Sequence, residues 1–308
     1  MLASAVRSLF RRSSPRSSVA ALQTLVPRMA QAAPPVEPPV EAPKGETRVP
    51  TAWPAGRLAL VHELWGAGFI FPGGEIETLR LTRPLGISNA ASLLMIGVGS
   101  GGPALSVTRN LGAWVTGMDT DPSLVAAAVM LVKRAQLDKK VTIKAWDPEN
   151  PAFVARSHHH CLALEPFHGA HPEPIIASLA QALRPGGQMV ITELTAPVPL
   201  DTTDPTVRRW GELEKRKPAN VLAATAITRM LGRVSLDVRI SEDMSERHLE
   251  HAMLGWRVML RDLGRKPSRQ EAVPMVAEAE LWLLRRRLIR EGRLQMMRWH
   301  AISTAAAN

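Results

Sequence analysis

The chain has 308 residues, 45% of them hydrophobic and 21% charged, with a formal net charge of +10 at neutral pH, an ordinary balance for a soluble globular protein. No stretch approaches the roughly 18–20 uninterrupted apolar residues of a membrane-spanning helix. A single cysteine, Cys161, excludes an intrachain disulfide, and the absence of tyrosine removes one common general base.

The positive charge is unevenly spread. Arg7, Arg11, Arg12, Arg16 and Arg28 meet no acid before Glu37, and a second group comprises Arg285, Arg286, Arg287, Arg290 and Arg293. Basic patches can steer anionic partners, but no nucleic-acid motif accompanies these arginines. A solvated helix face is the expectation for the second group, and no nucleic-acid partner is expected.

Residues 1–50 are rich in Ser, Arg, Ala and Pro, and the run Ala33-Pro34-Pro35-Val36-Glu37-Pro38-Pro39 suits neither a helix nor a central strand. They read as a disordered or targeting extension. The first thirty residues are arginine- and serine-rich and free of acids, as in organellar transit peptides. A plain tail goes with a cytoplasmic protein; a presequence goes with the mitochondrial matrix.

From Thr51 the pattern changes to a helical lid over 51–90. Helices are expected at Arg57–Trp65 and Glu75–Leu85, on either side of the glycine-rich Gly66–Gly74. A core domain follows over 91–200. Ser92–Gly97 is a short apolar run ending in glycine, the pattern of a buried parallel strand. A helix through Leu111, a strand at Ala113–Asp119, a helix at Pro122–Gln136 and a strand at Val141–Ala145 come next. A shorter strand at Cys161–Leu164, a helix at Ile175–Leu183 and a fifth strand at Gln188–Leu194 complete the core. This alternation predicts an α/β fold, a doubly wound parallel sheet with helices on both faces. Residues 201–308 add helices near 221–231 and across 246–290, with closing strands at Ser235–Ile240 and Arg293–Ser303.

The run Gly97-Val98-Gly99-Ser100-Gly101-Gly102 lies where such sheets bind ligands, beyond a strand's carboxyl end. It fits two templates: Gly97, Gly99 and Gly102 match the dinucleotide pattern G-x-G-x-x-G, and Gly97, Gly99 and Gly101 match G-x-G-x-G. Asp119 ends the second strand, 22 positions after Gly97, where a carboxylate accepts ribose hydroxyls in either cofactor class. Downstream, Leu183-Arg184-Pro185-Gly186-Gly187 precedes an apolar strand. This turn resembles the L-[KR]-P-G-G turn of class I S-adenosylmethionine-dependent methyltransferases, and the resemblance spans about 64–193.

The resemblance implies a Rossmann-like seven-stranded sheet with its last strand antiparallel, and S-adenosylmethionine as cofactor. It implies that Gly97, Val98, Gly99, Ser100 and Gly101 cradle the methionine portion and that Asp119, with Thr120 beside it, holds the ribose. Asp147 stands where a family acid contacts the adenine amino group, with Trp146 against the purine and Glu165 following the fourth strand. One departure is Met95, in the place of the family's acid two residues before the first glycine. Upstream, Trp65-Gly66-Ala67-Gly68-Phe69-Ile70-Phe71-Pro72-Gly73-Gly74 is similar to a lid segment of phosphoethanolamine and related small-amine methyltransferases, with Phe71 at the family's serine.

Methyl transfer needs alignment, desolvation and, for a protonated nucleophile, a base. In Leu164–His171, His168 is the first candidate for that base, with Glu165 and His171 behind it. His158-His159-His160-Cys161 is read as a loop-to-strand junction and not as a metal site, because neighbours in an extended segment point to opposite faces. Trp256, Leu260, Leu263, Leu281, Leu284 and Leu288 recur at helical spacing, as core or as the interface of a homodimer. Three readings follow: a methyltransferase acting on a small-molecule acceptor, a methyltransferase fold without turnover (prompted by Met95), and a nicotinamide-dependent oxidoreductase.

Overall fold

Seven strands form one sheet, in which the third and second strands lie outside the first on one side and the fourth, fifth, seventh and sixth follow on the other. The coordinates are a computed structural model that describes residues 52–168 and 171–304. The expectations for residues 1–50 lie outside the described residues.

Two helices come first, α1 (Ala55–Trp65) and α2 (Gly74–Thr82), the latter running into a 3-10 turn at Arg83–Leu85. The core then alternates β1 (Ser92–Ile96), α3 (Gly102–Leu111), β2 (Trp114–Asp119), α4 (Pro122–Arg134) and β3 (Val141–Ala145). It continues with β4 (His158–Leu164), α5 (Pro172–Ala182) and β5 (Leu183–Thr195). β1 to β5 pair in parallel, and β7 (Gln295–Ser303) runs antiparallel to both β5 and β6 (Leu236–Asp243). The sheet is therefore the seven-stranded Rossmann-like one implied by the sequence, with the expected antiparallel last strand.

Side-chain alternation along β1 explains why both faces are covered. Leu93 and Met95 join a cluster with α3 and with Val207 and Trp210, whereas Leu94 and Ile96 join Ile175, Ile176 and Leu179 of α5 and Leu231. A third cluster packs Leu60, Val61, Leu64 and Trp65 of α1 against Trp256 and Trp282.

Four elements differ from expectation. β4 begins at His158 and not Cys161, so the histidine run lies in the strand, where His159 Nδ1 accepts from Ser92 N at 3.0 Å. The turn Arg184–Gly187 is looped out within β5, between the pairings Leu183↔His158 and Gln188↔His160. The helical region across 246–290 is two helices, α8 (Ser245–Asp262) and α9 (Arg269–Arg290), and Ser268 opens the second in a capping box with Glu271. An unanticipated helix, α6 (Pro205–Glu214), precedes α7 (Ala224–Arg233). Its Asp204-Pro205 start repeats the Asp121-Pro122 start of α4: an aspartate accepts from two free N–H groups and proline occupies the first turn.

No helix among the described residues is long and apolar enough to cross a membrane.

Candidate active site

Strand order reverses between β1 and β4, and the register brings Gly97, Asp119 and Leu164 to the same edge, one step beyond the pairs Ile96↔Met118 and Ile96↔Ala163. A cavity of about 260 Å³ opens there, the place such sheets reserve for ligands. Gly97 has φ +71°, and a Cβ on it would run into the carbonyl oxygen of Leu164. Only glycine lets the loop lie against the end of β4.

Asp119 is 6% exposed and turns back on the loop. Its carboxylate accepts from Gly99 N at 2.8 Å and Asp121 N at 3.1 Å. Burial, opposed by these amide hydrogen bonds, pushes its pKa up to about 6. Gly97, Asp119, Thr120, Trp146, Glu165 and His168 all line the cavity. Val98, Gly99, Ser100 and Gly101 form the loop behind that wall. Ser100 is buried and shares a 2.7 Å hydrogen bond with His62 Nε2 of α1. Asp147 does not line the cavity; it is exposed and accepts from Glu149 N and Asn150 Nδ2 within its own turn. His171 is the N-cap residue of α5.

Met95 is fully buried and packs in the cluster that contains Val98 and Leu162. The position where the family carries an acid is thus an apolar core position in this chain.

Two buried arginines, neither expected at the site from the sequence, hold the acids beside the cavity. Arg216, 5% exposed at its side chain, donates to Glu193 Oε1 at 2.8 Å from both terminal nitrogens and reaches Glu165 Oε2 at 3.4 Å. Arg285 is equally buried; it grips both oxygens of Glu214, at 2.6 and 3.2 Å, and donates to His248 Nε2 at 3.0 Å. This corrects the solvated-face reading for Arg285, though Arg287, two positions on, is exposed. The helical period gave the signal. Glu278, Leu281, Trp282, Arg285 and Leu288 share one face of α9, and that face is buried.

Burial tends to raise Glu214, but Arg285 and then Arg216 outweigh it and hold its pKa below the usual carboxylate range. Burial raises Glu193 despite Arg216. Burial and then the Arg216 charge lower His168, so its imidazole is neutral near pH 7. Arginine only donates, so His168 Nδ1 accepts from Arg216 at 3.3–3.4 Å, and Nε2–H faces Lys215 O at 3.2 Å. Both ring nitrogens are engaged within the protein.

Glu165 differs. Its Oε2 lies 3.4 Å from Arg216 and 3.6 Å from Arg285, its side chain is 24% exposed, and its backbone sits at φ +45°, in the left-handed region. Such strain in a residue with a Cβ concentrates at functional sites.

Comparison with known proteins adds to this geometry. Residues 93–187 match the family model described as a methyltransferase domain. Residues 93–187 are thus those of a methyltransferase domain, in line with the class I S-adenosylmethionine-dependent family that the sequence resembles. It is similar to phosphoethanolamine N-methyltransferase 2 of Caenorhabditis elegans, with 29% identity over 131 residues that cover 42% of this chain and 30% of the worm protein. The chain thus spans less than a third of that relative's length. Among solved structures, Haemonchus contortus phosphoethanolamine N-methyltransferase 2 in complex with S-adenosyl-L-methionine superposes with a TM-score of 0.71 at 19% identity, over 80% of this chain and 57% of that one. The [4+2]-cyclase SpnF superposes at 0.63 with 18% identity, over 83% of this chain and 98% of that one. Both likenesses are in fold. Among the described residues, no group of three or more His, Cys, Asp or Glu side chains is arranged to hold a metal ion.

Proposed function

We propose that this chain transfers a methyl group from S-adenosylmethionine to a small-molecule acceptor. The observation that carries the reading is the cavity at the switch point, where a buried carboxylate tied to the glycine loop faces the same space as the Trp146 ring and the side chains of Glu165, Glu214 and Arg285. The residues present fit the cofactor: Asp119 offers carboxylate oxygens to ribose hydroxyls, Trp146 offers a ring face to the purine, and Gly97, with no room for a Cβ against Leu164 O, keeps the loop backbone at the cavity edge. Asp147, engaged in its own turn, is the weakest member of the set implied by the sequence. The bound cofactor supplies an electrophilic methyl group. The chain's own residues align the acceptor, exclude water and take up a proton.

For that last task Glu165 is favoured over His168. Both nitrogens of His168 hold other partners, while the contacts of Glu165 with arginine fall on Oε2 and leave Oε1 for the cavity. This also moves Glu165 from the cofactor side of the site to the acceptor side.

Calorimetry with S-adenosylmethionine, S-adenosylhomocysteine and NAD tests the cofactor assignment. The first two should bind and NAD should not; the reverse pattern defeats the reading. A second reading, binding without turnover, is favoured by Met95, which puts a buried apolar group where the family carries an acid. Cofactor binding with no labelled methyl transferred to any acceptor would establish it.

A further inference from the structure

Two buried side chains on the cavity wall carry polar atoms without a partner among the described residues. His248 and Thr192 are each 5% exposed, and both line the cavity. Arginine only donates, so His248 Nε2 accepts from Arg285 at 3.0 Å. Burial, and then the Arg285 charge, lowers the pKa of His248 well below its usual value; the ring is neutral and its proton sits on Nδ1. That Nδ1–H meets no acceptor among the described residues, and the chain does not enclose it. The Thr192 hydroxyl is placed likewise. Buried polar groups are nearly always satisfied, so a donor left open on a cavity wall marks where a ligand's polar atom belongs. Glu165 Oε1 is a third such atom, and the fold ties the three together. Arg285, which donates to His248, also lies 3.6 Å from Glu165 Oε2, and Glu165 N donates to Thr192 O at 2.9 Å.

Every charged side chain that lines the cavity has a partner. Arg57 donates to Glu278 at 2.8 Å and Arg285 to Glu214 at 2.6 Å. Arg216, shared with Glu193, lies 3.4 Å from Glu165, and Arg247 holds Glu77 at 3.2 Å with His251 at 3.4 Å. On the cofactor side, Asp119 accepts from the glycine loop and Asp121 caps α4. A charged acceptor of either sign would leave water for a wall whose counter-charges are already engaged. An uncharged one meets no such penalty. Trp65, Phe71 and Trp282 line the same space, and the Trp282 ring lies 5.3 Å from that of His248. Aromatic walls of this kind suit a flat ring with one polar atom.

Resting on the methyltransferase reading, we propose that the acceptor is an uncharged phenol, whose hydroxyl receives a hydrogen bond from His248 Nδ1–H and gives one to Glu165 Oε1, with Thr192 Oγ1 beside them. The phenol proton passes to Glu165 Oε1 as an oxygen lone pair forms the new O–C bond. The C–S bond of the sulfonium breaks in the same step, and its electron pair returns to sulfur. His248 Nδ1–H meets the negative charge that gathers on the oxygen. The products are the aryl methyl ether and S-adenosylhomocysteine, and Glu165 returns its proton to water.

The test is calorimetry on the full chain saturated with S-adenosylhomocysteine, using four probes on one ring: 4-methylphenol, 4-fluorotoluene, anionic 4-hydroxybenzoate and cationic 4-hydroxybenzylamine. 4-Methylphenol should bind at least tenfold more tightly than each of the others. His248→Phe should abolish its lead over 4-fluorotoluene, whereas His248→Gln, which keeps an acceptor for Arg285 and a donor for the ligand, should retain part of it. Thr192→Val should cut that lead at least threefold; it alters a single hydroxyl and decides the matter where His248→Phe does not fold. With methyl-labelled S-adenosylmethionine, the label should appear in 4-methylanisole. No binding of 4-methylphenol, 4-fluorotoluene matching it, a charged probe binding best, or variants that keep the full lead each overturns the proposal. Binding without 4-methylanisole overturns the transfer step. Absence of S-adenosylhomocysteine binding instead counts against the cofactor assignment, and 4-methylphenol titrated without it then reads the chamber alone.

Discussion

Gly102 N donates to Gly68 O at 2.8 Å, and neither glycine has room for a side chain. A Cβ on Gly102 would stand 2.7 Å from the carbonyl carbon and oxygen of Gly68; one on Gly68 would stand 2.8 Å from Gly102 N. The two glycine-rich segments, 34 residues apart in sequence, are therefore one contact: the lid segment rests backbone to backbone on the first turn of α3. Gly68 also has φ +89°, which an L side chain rarely adopts. Gly68→Ala and Gly102→Ala should each destabilise the chain by at least about 2 kcal/mol in denaturant unfolding. An alanine at either position with wild-type stability would show that the lid does not dock this closely.

Asp119 links stability to pH in an unusual direction. Its folded pKa of about 6 lies above the ordinary 3.8, so the native chain takes up this proton more readily than the unfolded chain. Ionised Asp119 therefore costs stability: nothing below about pH 4, progressively more from 4 to 6, and up to about 3 kcal/mol above that. Asp119→Asn should stabilise the ligand-free protein at pH 7.5 by about 1–2 kcal/mol, after roughly 1 kcal/mol for a weakened hydrogen bond. The same change should weaken S-adenosylhomocysteine at least tenfold. In the wild type that affinity should decline as pH falls through 6. Thermal melts and calorimetry across pH 5–8 measure both effects.

Arg285 and Arg287 stand two positions apart in an arginine triplet and have opposite fates. Arg285→Met leaves Glu214 and Glu165 short of a buried partner and should cost about 3–5 kcal/mol. Arg287→Met removes an exposed i,i+4 pair with Glu291 and should leave the unfolding midpoint unchanged within error. Equal effects in urea titrations would contradict the burial of Arg285.

Met95→Glu would place the family's acid back at its position, but in a core shaped for a thioether. Its neighbours in the cluster include Leu93, Val98 and Leu162. The variant should lose on the order of 3 kcal/mol and its new carboxyl should titrate well above its ordinary range. Cofactor affinity should not rise. A stable variant with tighter S-adenosylmethionine binding would show instead that the core accommodates the acid and directs it at the ligand.

Much of the fold was legible because its signals are local. β3 matches its expected bounds at Val141–Ala145, and β1, β2, α1 and α4 fall within a few residues of theirs. α6 escaped notice although Asp204-Pro205 repeats the chemistry of Asp121-Pro122 and Val207, Trp210 and Gly211 recur at helical spacing on its buried face; its remaining residues are mostly charged or polar. The site was legible where backbone chemistry sets it: Gly97, Asp119 and Trp146 reach the cavity. It was not legible where charge pairing sets it. Arg216 meets Glu193 across 23 residues and Arg285 meets Glu214 across 71, and nothing in either neighbourhood marks the partner.

By itself, the sequence determined the order of strands and helices, the glycine loop and the acid that ends β2, since periodicity, turn residues and strand ends act over a few positions. Only the tertiary structure decided what Gly102 is for, which of several arginines leave water, and that His168 is engaged while Glu165 opens to the cavity. Those outcomes depend on which distant groups arrive within about 3–4 Å of one another, and at that range a buried charge either finds its partner or does not.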